Sequence, residues 1–203
     1  MQIWVLFLNI KPLARVNEGI AVPASVSYTA CGTSFLPGYT YHGSFSVASS
    51  MLLYEHLWGE VRLSGGAYDT GFISRANSGA LAAYSYRDPS PMRTVGLFSG
   101  LGAKLREIVL RGVDTEKYII SSFGATDTVS TPRSASSQAT LLYLSGKSEK
   151  DTEKIRREII ETDKERLLSF SDMLGSLAAD ATYTVVATRE ELLRMGITNI
   201  LEI

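Results

Sequence analysis

The sequence predicts an α+β fold, and three observations carry that prediction. Segments of strand character and of helical periodicity follow one another without regular βαβ alternation. An apolar stripe at helical spacing leads directly into a hairpin pattern. The 203 residues, 45% hydrophobic and 20% charged, suffice to bury a sizeable core in the manner of an ordinary soluble globular chain.

The opening run Ile3 to Leu8 is apolar, but no basic residue precedes it and it is too short to span a bilayer. The following "KPLARVN" matches a small-residue cleavage site poorly, so a buried strand or a linker is expected here rather than a signal peptide. No other segment has the length and apolarity of a membrane span. Val22 to Leu36, rich in β-branched and small residues, reads as a strand. Gly38 to Phe45 leads into the first clear helix. There Val47, Met51, Tyr54, Trp58 and Val61 recur at spacings of 4, 3, 4 and 3, which places them on one helical face. Gly65-Gly66 ends that helix, supplying backbone freedom that other residues lack.

Ala67 to Tyr86 reads as a hairpin with Asn77-Ser78-Gly79 at its turn, and Tyr84 and Tyr86 share one face of the second strand. Asp88-Pro89 or Ser90-Pro91 opens a second helix, closed by Gly112. "DTEKYIISSFGATD" is a shorter helix, "TVSTPRSASSQ" the most loop-like segment, and "ATLLYLSG" a short helical piece. Lys147 to Arg166 carries seven basic and seven acidic residues in interleaved order, over a stripe of Ile155, Ile159 and Ile160. That pattern is a solvated helix face with i,i+4 pairs. A further helix reaches about Leu177. "ATYTVVAT" is a strand, "REELLRMG" a capped helix and "ITNILEI" a final extended piece.

Charge and composition narrow the chemistry. A formal net charge of −1 provides no polyanion-binding surface, which sets nucleic acid aside. Cys31 is the only cysteine, so neither an intrachain disulfide nor a cysteine-built zinc site is available. His42 and His56 are fourteen residues apart and cannot share adjacent helical turns; His56 with Glu60 makes at most half a metal site. Cys31 with either histidine can be drawn as a catalytic dyad, although a buried free thiol is the commoner role. "GLFSGLGAK" fits neither phosphate-loop pattern and reads as helix packing within one amphipathic helix. Arg62 complements the dipole at a helix C-terminus, and Tyr68 is an ordinary strand aromatic. Residue patterns alone go no further than an α+β domain.

A resemblance goes further. "EGIAVPASVSYTACG", the Y-x-Y-x-G of Tyr39 to Gly43, "YEHLWGEVRLSGGAY", "SYRDPSPMRTVGLF" and "LYLSGKSEKDTEKIRREIIETDKERL" together resemble the last domain of presequence-protease-type zinc peptidases, in the pitrilysin/insulinase superfamily. The resemblance covers residues 17–203 as one C-terminal, catalytically incomplete domain, with residues 1–16 a linker or poorly matched start. It implies a mostly antiparallel sheet with helices packed on one face, as in the metallohydrolase domains of the insulinase and mitochondrial processing peptidase superfamily. It implies no metal on this chain, whose sequence lacks the inverted zinc motif, and zinc on the N-terminal half of a full enzyme. Arg62 and Tyr68 match the arginine and tyrosine, six residues apart, that reach toward the zinc in that family; Gly65 and Gly66 are the hinge between them. Asp69 stands where the family often has another glycine, and an acid beside Tyr68 can alter its hydrogen bonding.

The implied partners are zinc-bearing domains of the same or a longer polypeptide and a peptide substrate, with no nucleic acid and no membrane. A strand face exposed in isolation would also permit a dimer. The implied function is a non-catalytic domain that completes a peptidase site and is inactive alone; the alternative is a degenerate scaffold copy with no role in proteolysis. The compartment stays open between cytoplasm and organelle lumen.

Overall fold

The computed structural model describes residues 15–36, 38–126 and 131–202. The apolar run Ile3 to Leu8 and most of the 1–16 segment lie outside the described residues. The elements are β1 (Glu18–Ala21), β2 (Ser27–Ser34), α1 (Ser44–Leu52) running into a π-helical segment (Leu53–Leu63), then β3 (Asp69–Ser74) and β4 (Ala80–Asp88). They continue as α2 (Pro91–Ser99), α3 (Leu101–Leu110), α4 (Glu116–Gly124), α5 (Pro132–Leu144), α6 (Glu149–Ile160), α7 (Lys164–Leu177), β5 (Thr182–Ala187), α8 (Arg189–Arg194) and β6 (Asn199–Glu202).

The six strands form one sheet in the order β3-β4-β2-β5-β1-β6. The three pairings β3–β4, β4–β2 and β2–β5 are antiparallel, and β1 runs parallel to both β5 and β6. Register fixes two faces. Thr29, Ser85 and Val185 lie in one cross-strand row and are buried, whereas their neighbours Ala30 and Tyr86 are exposed. Helices α1, α2 and α8 pack against the strands, and the inward strand residues join their cores. Among the described residues the other face carries exposed side chains such as Ala30 and Tyr86. The α+β fold with helices on one side of a mostly antiparallel sheet is therefore present.

The main core is built around α1 and its continuation, with Val47, Met51, Leu52, Leu57 and Val61 fully buried. This corrects the expected stripe at two positions, since Trp58 is only half-buried. Tyr54 is 57% exposed, and Leu57 takes the buried place. The reason is helical pitch. From Leu53 the backbone bonds run i to i−5, as in Ser64 N–H to the Gly59 carbonyl at 2.9 Å, and a wider turn moves the buried positions to spacings of 5 and 4.

Other expectations shift for local reasons. The anticipated single helix after Pro91 is two, because the chain leaves helical geometry at Gly100 (φ −91°, ψ 2°), so "GLFSGLGAK" spans a break. Gly102 then lets α3 cross α7 closely: a Cβ there would sit 2.6 Å from the Gly175 nitrogen. The part of "TVSTPRSASSQ" from Pro132 is helical, with Pro132 in the first turn and the Thr131 side chain accepting from Ser134 N–H. Residues 127–130 lie outside the description. β1 is a strand beyond the one expected from Val22. Ile160 is exposed while Ile159 is fully buried, since one residue along an α-helix is a 100° turn.

Leu57→Ala should cost about 2–5 kcal/mol, the range for truncating a fully buried leucine. Tyr54→Ala should cost under about 1 kcal/mol, the scale of an exposed site. Urea unfolding of both variants checks the π register; an α-helical continuation would reverse the order.

Candidate functional site

The π segment ends at the predicted pair. Arg62 lies in its last turn with its guanidinium stacked on Trp58, Cζ 4.1 Å from the ring centroid. It forms no ion pair among the described residues. The chain then closes a tight turn, with Gly66 N–H donating to the Arg62 carbonyl at 3.0 Å and Ala67 N–H to the Val61 carbonyl at 3.1 Å. Both glycines are required there. A Cβ on Gly65 would lie 2.4 Å from the Val61 carbonyl oxygen, and Gly66 has φ +80°. Arg93 locks the outside of the turn, its guanidinium bonding the Glu60 carbonyl at 2.5 Å and the Glu60 carboxylate at 2.6 Å.

Tyr68 emerges just before β3, its N–H donating to the Tyr86 carbonyl at 2.9 Å. Its side chain is 64% exposed and meets Tyr86 edge-to-face at 6.0 Å. Tyr86 in turn meets Tyr28 edge-to-face at 5.0 Å. Arg62 and Tyr68 thus sit at the two ends of one closed turn, each resting on its own aromatic neighbour. No hydrogen bond joins their side chains among the described residues. Asp69 does not engage Tyr68: its carboxylate faces the Tyr84 hydroxyl at 3.5 Å. Gly71 leaves room for the Tyr84 ring, since a Cβ there would lie 2.5 Å from it.

The metal and dyad alternatives do not assemble. No group of three His, Cys, Asp or Glu side chains converges among the described residues. Glu60, the expected partner of His56, is held by Arg93 instead. His42 Nδ1 accepts from Ser44 N–H at 3.2 Å and contacts Ser44 Oγ at 2.9 Å, and Nε2 faces Glu158 at 3.9 Å. Cys31 lines an apolar cavity of about 230 Å³ between the sheet and α2, α3 and α7, and burial pushes its thiol pKa up. A raised pKa lowers the thiolate fraction, the opposite of activation. The described residues do not gather a zinc site.

The sequence model of the PreP C-terminal domain matches residues 17–191. The chain belongs to this family. Protein HypA of Clostridium perfringens is 31% identical over 181 residues, and presequence protease 1 of Arabidopsis thaliana, chloroplastic/mitochondrial, 29% over 177 residues. These alignments cover 89% and 87% of this chain but only 18% and 16% of the relatives. Among solved structures, a peptidase M16 inactive domain from Pseudomonas fluorescens superposes with a TM-score of 0.60 at 13% identity, covering 88% of this chain and 45% of that one. Pitrilysin gives 0.54 at 15% identity, covering 85% of this chain and 19% of that one. These two likenesses show a shared fold. The chain spans about a sixth of the length of these two sequence relatives.

Sequence reasoning picked out Arg62, Tyr68 and the glycines but missed Trp58, Tyr28 and Arg93, which hold them. The available signal was the shared face of Tyr84 and Tyr86, which points across the sheet to Tyr28.

Two outcomes follow for the folded domain. Gly66→Ala should destabilise by roughly 1–2 kcal/mol, the cost of left-handed backbone for an L-residue. Gly65→Ala should cost more because its Cβ meets a carbonyl; chemical denaturation of both reads the order. Burial, foremost, lowers the pKa of both His42 and His56 below 6.5. The unfolded chain then binds protons that the folded one refuses, so stability is full above pH 6.5 and falls as pH drops through the folded pKa values. Melting temperature should fall between pH 7.5 and 5.5 (roughly the histidine window), and the slope should flatten in a His42→Gln/His56→Gln double variant.

Proposed function

We propose that this domain completes the active site of a zinc metalloendopeptidase that degrades unstructured peptides, with Arg62 and Tyr68 as its contribution. The observation that carries the reading is the turn from Val61 to Tyr68. It fixes a helix-end cation and an exposed phenol at the two ends of five residues, using two glycines at which a side chain would be strained. Membership of the PreP C-terminal domain family supports it.

The chemistry assigned to each side chain is simple. Peptide hydrolysis places negative charge on the carbonyl oxygen under attack, and the Tyr68 hydroxyl donates a hydrogen bond to that oxygen. Arg62, with no carboxylate partner among the described residues, has guanidinium donors available for backbone carbonyls of the peptide. Metal binding is assigned to other domains of the same or a longer polypeptide, since no ligand set gathers among the described residues. Hydrolysis by the domain alone is not expected. The small covered share of the presequence protease relative agrees with a partner-dependent role.

The test is kinetic, in the polypeptide that contains the zinc-bearing domains. Tyr68→Phe should lower kcat/KM by about 10²- to 10³-fold, the scale for removing one oxyanion donor. Arg62→Ala should lower it as well, with zinc content unchanged in both. A scaffold copy predicts unaltered kinetics for both variants, and that result would remove the role assigned here.

A further inference from the structure

One residue at the end of β4 departs from strand alternation in a way that adds to the site. β2 and β4 pair Thr29 with Ser85 and Ser27 with Asp88. Tyr28 on β2 therefore faces two residues on β4, Tyr86 and Arg87, which defines a β-bulge. Arg87 is the extra residue. Its φ of 50° is the only left-handed backbone at a non-glycine among the described residues.

The bulge reverses where two charges go. With Ser85 inward, strict alternation would turn Arg87 into the core and Asp88 out to solvent. Instead Asp88 is buried: its carboxylate accepts from Ser85 Oγ at 2.8 Å and from Ser90 N–H at 2.8 Å, and its carbonyl accepts from Ser27 Oγ at 2.5 Å. Arg87 is placed on the face that carries Tyr86. Its guanidinium lies 5.7 Å from the Tyr86 ring centroid, beside the Tyr28 hydroxyl, which is the main cause of its raised pKa. It has no carboxylate partner among the described residues. Strained backbone persists where the surroundings enforce it, and such positions cluster at binding sites. Here three hydrogen-bond donors around Asp88 enforce it.

We propose that Arg87 anchors a carboxylate of a peptide lying along the aromatic row Tyr68–Tyr86–Tyr28, exposed at Tyr68 and Tyr86 and half-buried at Tyr28. The inference rests on the peptide-binding reading above and adds a substrate feature to it. A guanidinium offers parallel N–H donors that match a carboxylate bidentately. The aromatic row flanks the anchor with apolar edges for neighbouring side chains. The carboxylate comes from an acidic side chain or from the peptide C-terminus.

Titration of the ¹⁵N-labelled chain followed by NMR tests it, because chemical shifts register millimolar affinities. Three matched heptapeptides serve as probes: one glutamate with an amidated C-terminus, glutamine with an amidated C-terminus, and glutamine with a free C-terminal carboxylate. At least one acidic peptide should bind about tenfold more tightly than the uncharged one, the scale of a charge-assisted hydrogen bond. Whichever acidic arm gains identifies the source of the carboxylate. Arg87→Gln should abolish the gain with the uncharged peptide's Kd unchanged, and Arg87→Lys should restore part of it. Arg87→Gly suits the left-handed backbone, so it should fold with equal or greater stability and still lose the gain. Equal binding of all three peptides by the wild-type chain, or a gain that survives Arg87→Gln, would overturn the anchor alone. No shifts around Tyr28, Tyr68 and Tyr86 with any peptide would overturn the peptide-binding reading together with it.

Discussion

Burial of one helix against one face of the sheet is the constraint on which the rest depends. Met51, Leu52, Leu57 and Val61 have no exposed surface. Each contributes roughly 1.5–3 kcal/mol relative to exposure. The chain maintains that seal by widening its turn at Leu53, and the widened turn decides where the helix stops and which way Arg62 leaves it. Segments of π geometry are often found at functional sites for this reason: they re-aim side chains without ending the helix.

The corner beyond the helix is held by close backbone approach rather than by side-chain packing. Gly65 sits against a carbonyl, Gly66 takes left-handed backbone, and Arg93 bonds the Glu60 carbonyl from α2. Pro89 lies against Gly66, 3.3 Å from where a Cβ would be, so the β4–α2 connection abuts the same turn. The buried Asp88 fixes that connection through donors from Ser85 and Ser90. Helix end, strand start and bulge therefore share one rigid corner. The phenols and guanidinium groups of the candidate site are carried on this backbone, with Tyr68, Tyr86 and Arg87 exposed and Tyr28 and Arg62 half-buried.

Much of this was legible in the residues. Gly65-Gly66 marked the helix end, Asn77-Ser78-Gly79 the hairpin turn, and Asp88-Pro89 or Ser90-Pro91 a helix start, which the structure places at Pro91, because each acts through local backbone geometry. Thr188 as a cap for the last helix was equally local. Tyr54 and Ile160 were misplaced because a periodicity of 3.6 was assumed where pitch or rotation differed. The stretch from Pro132 looked like a loop because serine and alanine carry little pattern, and α5 has no buried residue to supply one. At the site, the identities of Arg62, Tyr68 and the glycines came from a family resemblance. Their aromatic supports, and Arg87, did not.

The sequence by itself determined the α+β class, the exclusion of a cysteine-built metal site and the short-range punctuation of the chain. It also carried family membership, since 31% identity over 181 residues is a property of residues in order. The tertiary structure decided the strand order, the parallel insertion of β1 between β5 and β6, the π pitch and the bulge at Arg87. The physical reason is the range of the forces involved. Caps, turns and periodicity act within a few residues, whereas register, pitch and bulges are chosen by what a strand or helix must bury against partners up to 181 residues away, as Glu18 and Asn199 are.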